Sequence, residues 1–347
     1  MIIENEKLVK NPVVSVVIAT YNQKDYIEQT IESVLSQKTN FPFEIVIGDD
    51  GSTDGQRNLL RSLHAKYPEK IKLVFNDNNL WVTKNYISAI TEARGTFIAP
   101  LDGDDLYIDP LKLQKQYDII STRNDVSNVI VGYRNFDTAT GRILTINNSW
   151  KSSITSSEDG KDRLFNYLSY NFPFFPISSV AFFRRSDYLR GCQNLQALID
   201  DDASTGEETL LNVILCNSGK FYSIDEVMLG RRVQPSSIMS FKSKEKKINF
   251  FTNRVFHLYL AATLTNMNSN EKYMIACKAL ESILYEAFNT HMIGYFTKEL
   301  INKNNKRIIG KLPNEIISKY TSTLSLVGLF FWRYLPYKTK RLINKLI

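Results

Sequence analysis

A chain of 347 residues, 43% hydrophobic and 23% charged, is neither disordered nor fibrous and has room for one large domain of about 200 to 250 residues plus an appendage. Its three cysteines, Cys192, Cys216 and Cys277, are too scattered for a zinc site or a disulfide framework. The net charge of +7 gathers in residues 301–347, where ten Lys or Arg stand against Glu315 alone. The rest is slightly acidic, which excludes a uniformly basic nucleic-acid binder.

The start, "MIIENEKLVKNP", is polar and has no apolar core of signal-peptide length, so a cytoplasmic protein is expected. "VVSVVIAT" (13–20) then reads as a strand buried on both faces of a parallel sheet. "KDYIEQTIESVLSQ" follows with Ile27, Ile31, Val34 and Leu35 at helical spacing. A second unit is "FEIVIGDD" (43–50) with the helix "STDGQRNLLRSLHAKY", for which Ser52 or Thr53 is the expected cap. "IKLVF" (71–75) begins a third, whose helix runs through "YISAITEA" to Gly95 as its cap. "TFIAPL" is the fourth strand. Four such units predict an open, mainly parallel α/β sheet flanked by helices, with right-handed crossovers.

Past residue 110 the alternation weakens. "SNVIVGYRNFD" and "GRILTIN" read as strands joined through "TATG", and "SSVAFFRR" (178–185) as another. The Ser-rich stretch 147–162 reads as a mobile loop. "EETLLNVILCNS" (207–218) reads as a helix before "GKFYSIDEVMLGRR". A boundary near 240 separates an α/β catalytic domain, 1–240, from a helical, basic region, 241–347.

Ligands of parallel sheets bind at the carboxyl ends of the strands. Those ends carry "TYN" (20–22), "DDGSTD" (49–54) and "DGDD" (102–105), which places three polar clusters on one rim. Neither GxGxxG after the first strand nor a GxxxxGK[ST] loop is present, so any phosphates need another holder. Neighbouring carboxylates at a strand end suit a divalent cation, Mg2+ or Mn2+, on Asp104 with Asp102 beside it.

"VSVVIATYNQKDYIEQTIESVLSQ", "FEIVIGDDGSTDG" and "GTFIAPLDGDD", in this order, resemble the family 2 glycosyltransferases of the GT-A fold. The likeness covers about residues 13 to 110 and resumes at "TGEETLLNVILCNSGKFYSIDEVMLGRR". It implies that Thr20, Tyr21, Asn22, Asp49 and Asp50 line the base and ribose of a nucleotide. Asp102 would approach the ribose or diphosphate, Asp104 would ligate the metal, and Lys84 and Asn85 would lie where the family has a polar contact to the nucleotide.

Two departures stand out. The family's Glu-Asp pair is Glu207-Glu208 here. Register favours Glu208 as the general base, and a shift of one residue would select Glu207. "GRR" (230–232) replaces the family's Tyr-Arg, which leaves a diphosphate contact from Arg231 or Arg232 in doubt. The implied activity is inverting transfer from a nucleotide-diphosphate sugar to a glycan or lipid-linked acceptor in cell-surface polysaccharide synthesis. A nucleotidyltransferase would need a Gly- and basic-rich loop after its first strand, and a non-catalytic sugar-binding protein would not need both acid groups. His64, His257 and His291 have no ligand spacing and read as surface or packing residues. "STLSLVGLFFWRYLPYKTKRLINKLI" (322–347) is too short in its apolar run to span a bilayer. Aromatics beside lysines fit a segment lying on an anionic membrane at its inner face, with a terminal helix docked on the protein as the alternative.

Overall fold

β-Branched runs with no polar face make the centre of the sheet. The computed structural model describes residues 1–147, 160–169, 177–200 and 207–233, with 243, 257–258, 260–275 and 277–278 beyond. After a two-residue edge strand, β1 (Ile2–Ile3), "VSVVIAT" forms β2 (Val14–Thr20), buried at every position. Its hydrophobic face continues into α1 (Lys24–Leu35), which buries Ile27, Ile31 and Val34. β3 (Phe43–Asp49), α2 (Gln56–Lys66), β4 (Ile71–Phe75), α3 (Trp81–Glu92) and β5 (Phe97–Asp102) complete the alternation. Strands β4, β3, β2 and β5 lie side by side and parallel. The α/β sheet expected from the periodicity is present.

The second half widens this sheet with strands of mixed direction. After β6 (Leu106–Tyr107) and α4 (Lys112–Ile120), the long β7 (Val126–Asp137) pairs antiparallel with β8 (Ile143–Asn147). α5 (Gly160–Leu168) leads to a 3-10 turn at Ser178–Val180 and the two-residue β9 (Phe183–Arg184). α6 (Arg185–Asn194), α7 (Gln196–Ile199), α8 (Glu207–Ser218) and β10 (Lys220–Val233) follow. The order across the sheet is β1-β4-β3-β2-β5-β9-β7-β10-β6. β9 is antiparallel to both β5 and β7, whereas β10 runs parallel to β7 and antiparallel to β6.

Three local expectations are corrected. α2 begins at Gln56 behind Gly55, whose φ of 88° suits glycine, and not at Ser52 or Thr53; Ser52 Oγ instead accepts from the Asn22 N–H at 2.9 Å. α3 ends at Ala93 in extended backbone, and Gly95 lies against Ser15, where a Cβ would come within 2.5 Å of the Ser15 nitrogen. "SSVAFFRR" is a 3-10 turn, a two-residue strand and the first residue of α6, because the Arg185 N–H already bonds to Thr96. Of the Ser-rich loop, residues 148–159 lie outside the described residues, and the backbone from Gly160 is helical.

The chain divides into two compact units, Met1–Ser240 with Leu260–Met267, and Phe241–Tyr259 with Asn268–Ile347. In the second, Asn268 and Glu271 exchange backbone-to-side-chain hydrogen bonds at 2.7 and 2.9 Å, a capping box opening a helix. The basic tail, 301–347, and His291 lie outside the described residues.

Two of the buried ionisable groups, Glu44 on β3 and Lys112 on α4, bear on stability. Glu44 on β3 is fully buried and takes Arg94 Nε and Nη2 at 2.9 and 2.7 Å, the Arg94 N–H at 2.7 Å and the Ser15 hydroxyl at 2.7 Å. Glu44→Gln is expected to cost about 2 to 3 kcal/mol in urea unfolding, below the usual cost of a broken buried pair because Arg94 still reaches water. Lys112 is also fully buried, 2.8 Å from Gln116 Oε1 and over the Tyr107 ring. Burial pulls its ammonium down to about 7. The folded chain thus gives up this proton before the unfolded chain does, and stability rises with pH between about 7 and the ordinary lysine value near 10.5. Lys112→Met is therefore expected to stabilise the protein more at pH 6 than at pH 9, by about 2 kcal/mol in the difference. An equal gain at both values would refute the assignment.

Candidate active site

Strand register gathers the polar clusters. Thr20 pairs with Asp49 across β2 and β3, and Ala19 pairs with Asp102 across β2 and β5. With strands about 4.8 Å apart, the loops after all three strands open on the same rim.

The loop after β2 is locked onto the loop after β3. Asn22, at φ 52°, accepts the Thr53 N–H at 2.7 Å through Oδ1, and Thr20 Oγ1 lies 3.0 Å from Gln56 Oε1. Tyr21 is left 45% exposed on this rim. Asp49 is buried and takes Arg57 Nε at 2.6 Å, Gln56 Nε2 at 2.7 Å and the Ser52 N–H at 3.1 Å. Asp50 accepts the Leu80 N–H at 2.8 Å and Asn76 Nδ2 at 3.1 Å, and burial still pushes its carboxyl up. Asn85 is buried, donates to the Gly48 carbonyl at 2.9 Å and accepts from Asn76 at 2.9 Å. Lys84 beside it is half-buried.

The acid loop is held just as closely. Gly103 lies so near Thr20 and Gln23 that a Cβ would come within 2.4 to 2.6 Å of their side chains, so only glycine lets "DGDD" sit there. Asp102 accepts the Tyr86 hydroxyl at 2.8 Å, and its N–H donates to Ser179 Oγ at 3.1 Å. Burial, then the charges of Asp104 and Glu208, raise its carboxyl to about 6. Asp105 is buried, with Oδ2 lacking a hydrogen-bond partner among the described residues. Burial and the two neighbouring aspartates hold its carboxyl well above the usual range. Arg232 grips this loop from β10: its N–H reaches Asp105 Oδ1 at 3.3 Å, and its guanidinium binds the Asp104 carbonyl and, at 2.5 Å, Gln29 Oε1.

Glu207 and Glu208 open α8, both half-buried. Burial, Glu208 and Asp102 hold the Glu207 carboxyl well above the usual range, against the Ser178 hydroxyl 3.3 Å away. Burial lowers the Arg231 guanidinium, and Asp105, Glu208 and Asp102 outweigh that, leaving it net raised. One arginine thus lies within electrostatic reach of carboxylates of both acid groups. Among the described residues no three acidic, His or Cys side chains are arranged to hold a metal by themselves. The carboxylates of Asp102, Asp104 and Asp105 are nonetheless hard oxygen donors, and Asp105 Oδ2 has no hydrogen-bond partner among the described residues, which fits a divalent cation completed by phosphate oxygens and water.

The profile of glycosyl transferase family 2 matches residues 15–189, just over half of the chain. The chain belongs to this family. An uncharacterised Mycobacterium tuberculosis protein is 37% identical over 102 residues, 29% of this chain and 30% of its own. TuaG of Bacillus subtilis, named "putative teichuronic acid biosynthesis glycosyltransferase", is 38% identical over 113 residues, 33% of this chain and 44% of its own. The chain therefore spans less than half the length of these relatives. S. aureus TarS solved with UDP aligns with a TM-score of 0.57 at 17% identity, covering 92% of this chain and 86% of that one. A Pyrobaculum calidifontis mannosyltransferase in complex with GDP-Man and Mn2+ aligns at 0.51 and 15%, covering 91% and 88%. These likenesses show the GT-A fold.

In this family 2 chain, Thr20, Tyr21, Asn22, Asp49, Asp50 and Asp102 share the rim; Asp104 and Glu208 both act on the Asp102 carboxyl, and Asp102 and Glu208 on that of Glu207. Asn85 and Asp49 have their polar atoms engaged inside the protein. Sequence reasoning missed Tyr86, Ser178 and Ser179 and left Arg231 in doubt. Only the alternation of β10, which turns Arg231 and Arg232 to opposite faces, could have marked one of the two. Among the described residues no helix is long and apolar enough to cross a membrane.

Proposed function

We propose that this chain transfers a sugar from a nucleoside-diphosphate sugar to a hydroxyl of a glycan or lipid-linked acceptor, with inversion, in cell-surface polysaccharide synthesis. The observation that carries the reading is the convergence of two acid groups at the carboxyl edge of the sheet, where Tyr86 donates to Asp102 at 2.8 Å, Ser179 takes the Asp102 N–H at 3.1 Å and the adjacent Ser178 lies 3.3 Å from Glu207. The name of TuaG supports the polysaccharide setting.

The nucleotide would lie over Thr20, Tyr21, Asn22 and Asp50, with the exposed Tyr21 ring as its platform and Lys84 at its edge. Asp49 and Asn85 would hold the wall behind it. Glu208 takes the acceptor hydroxyl proton as that oxygen bonds to the anomeric carbon; the bond to the diphosphate oxygen breaks, and its electron pair leaves with the diphosphate. Attack from the face opposite the leaving group inverts the centre. Arg231 would offset the charge of these carboxylates. A divalent cation, Mg2+ or Mn2+, held by Asp104 with Asp102 beside it would neutralise charge on the departing diphosphate. The basic tail would keep the enzyme at the inner face of an anionic membrane, near a lipid-linked acceptor.

The test is a panel of nucleotide sugars with full-length protein, read by thermal shift and by donor hydrolysis, with Mg2+, Mn2+ or EDTA. A cation-dependent shift and hydrolysis for one donor are expected. No shift and no hydrolysis with any donor would refute the reading.

A further inference from the structure

The main chain of the acid loop is fastened on both sides of the Asp104 side chain. The Gly103 N–H donates to the Ala19 carbonyl at 2.9 Å, and the Gly103 carbonyl takes the Thr30 hydroxyl of α1 at 2.9 Å. The Asp104 carbonyl takes Arg232 Nη1, and Asp105 Oδ1 takes the Arg232 N–H at 3.3 Å. Nη2 of the same guanidinium donates to Gln29 Oε1 on α1 at 2.5 Å, 203 positions away in the chain. The guanidinium carbon lies over the ring of Tyr26, also on α1, at 5.2 Å and over that of Phe136, the β7 partner of Arg232, at 5.7 Å. Arg232 is buried, so its charge depends on these partners in place of water.

Resting on the glycosyl-transfer reading, we propose that Arg232 is a positioning residue, which pins the acid loop to α1 and so fixes where Asp104 meets the cation, and that it makes no contact with the diphosphate of the donor. Both terminal nitrogens of the guanidinium are already engaged inside the protein. The loop needs such a tie. Asp102, Asp104 and Asp105 stand within four positions, and carboxylates so close repel one another when ionised together. A guanidinium fastened to the main chain opposes the opening that this repulsion favours. A hard cation wants its oxygens at set distances, and a ligand already in place saves the cost of ordering it on binding. Lysine would carry the charge without the planar fork that reaches two separate acceptors.

The experiment uses the full-length chain with Arg232→Met, Arg232→Lys, Gln29→Ala and the double variant of Arg232→Met with Gln29→Ala. Amide hydrogen exchange across residues 102–107 is read without ligand, with strand β3 as the internal reference. Calorimetry in EDTA gives the affinities for UDP, GDP and their monophosphates, and calorimetry with Mn2+ gives the cation affinity in the presence of the diphosphate that binds. Arg232→Met is expected to speed exchange across 102–107 about tenfold, with β3 within about twofold of the parent. It should weaken Mn2+ about tenfold and leave diphosphate and monophosphate affinities in EDTA within about threefold. Gln29 is exposed, so Gln29→Ala keeps the fold and should move exchange and Mn2+ affinity the same way by about threefold. The double variant should stay within about twofold of Arg232→Met, and Arg232→Lys should lie nearer to Arg232→Met than to the parent. Unchanged exchange in a folded Arg232→Met protein, or in Gln29→Ala where Arg232→Met does not fold, would overturn the tie. A loss in EDTA of affinity for the diphosphate but not for the monophosphate would make Arg232 a diphosphate contact and overturn it as well. If the parent binds no nucleotide and turns over no nucleotide sugar, the transfer reading fails instead, and the tie stands or falls on the exchange of the ligand-free proteins.

Discussion

Glu208→Gln is expected to lower transfer by about 10²- to 10⁴-fold while donor binding stays near the parent value, because an amide cannot take the acceptor proton. The pair at the start of α8 is not symmetric. Glu207 lies against Ser178, with its carboxyl raised by burial first and by Glu208 and Asp102 after it. Glu208 acts on the Arg231 guanidinium, whose charged form it favours together with Asp105 and Asp102. Steady-state kinetics with calorimetric donor affinity separates the effects: a fall in kcat with unchanged affinity supports the role. Full activity in Glu208→Gln would move the base elsewhere, and a dead Glu207→Gln beside an active Glu208→Gln would move it by one residue.

Asp104→Ala is expected to abolish cation-dependent turnover, by about 100-fold or more, and to leave the urea midpoint within a few tenths of a molar unit. Arg232 holds this loop through the Asp104 backbone carbonyl and through its N–H to Asp105 Oδ1, both of which alanine at 104 keeps. Gly103, which sets the approach to Thr20, is untouched. Stability and turnover should therefore separate, and EDTA should bring the parent protein down to the level of the variant. Unchanged activity in the variant, or full activity of the parent in EDTA, would remove Asp104 from the cation.

The first hundred residues were legible because their structure is written locally. Strands such as Val14–Thr20 and Phe43–Asp49 are apolar on both faces, as parallel strands must be, and each turn into a helix carries its own polar residues. Glu207–Ser218 was legible for the same reason. Arg231 was not, since its place depends on β10 pairing with β6, where Gly230 meets Leu106 more than 120 residues away. Ser178 and Ser179 read as part of a strand because "SSVAFF" is β-prone, whereas the sheet at that point takes only Phe183 and Arg184. The start of α2 was misread because two capping residues precede Gly55, and both are engaged with Asn22 and Gln56.

β9 has a consequence for the integrity of the whole sheet. It meets β5 only at Phe97 and Ile98 and β7 only at Asn128, with Arg184 adding guanidinium bonds to the carbonyls of Ile120, Arg123 and Val126. Phe183 and Arg184, with the Phe182 carbonyl taking the Val129 N–H at 2.9 Å and the Arg185 N–H reaching Thr96 at 3.0 Å, therefore form the seam between the parallel quartet and the β7–β10 half. Were they to peel away, the edges of β5 and β7 would lie open, both lined by buried aliphatic residues such as Ile98, Val129 and Ile130. Open apolar edges are templates for other chains. Weakening this seam would carry the risk of intermolecular strand pairing and aggregation as well as a loss of folding stability.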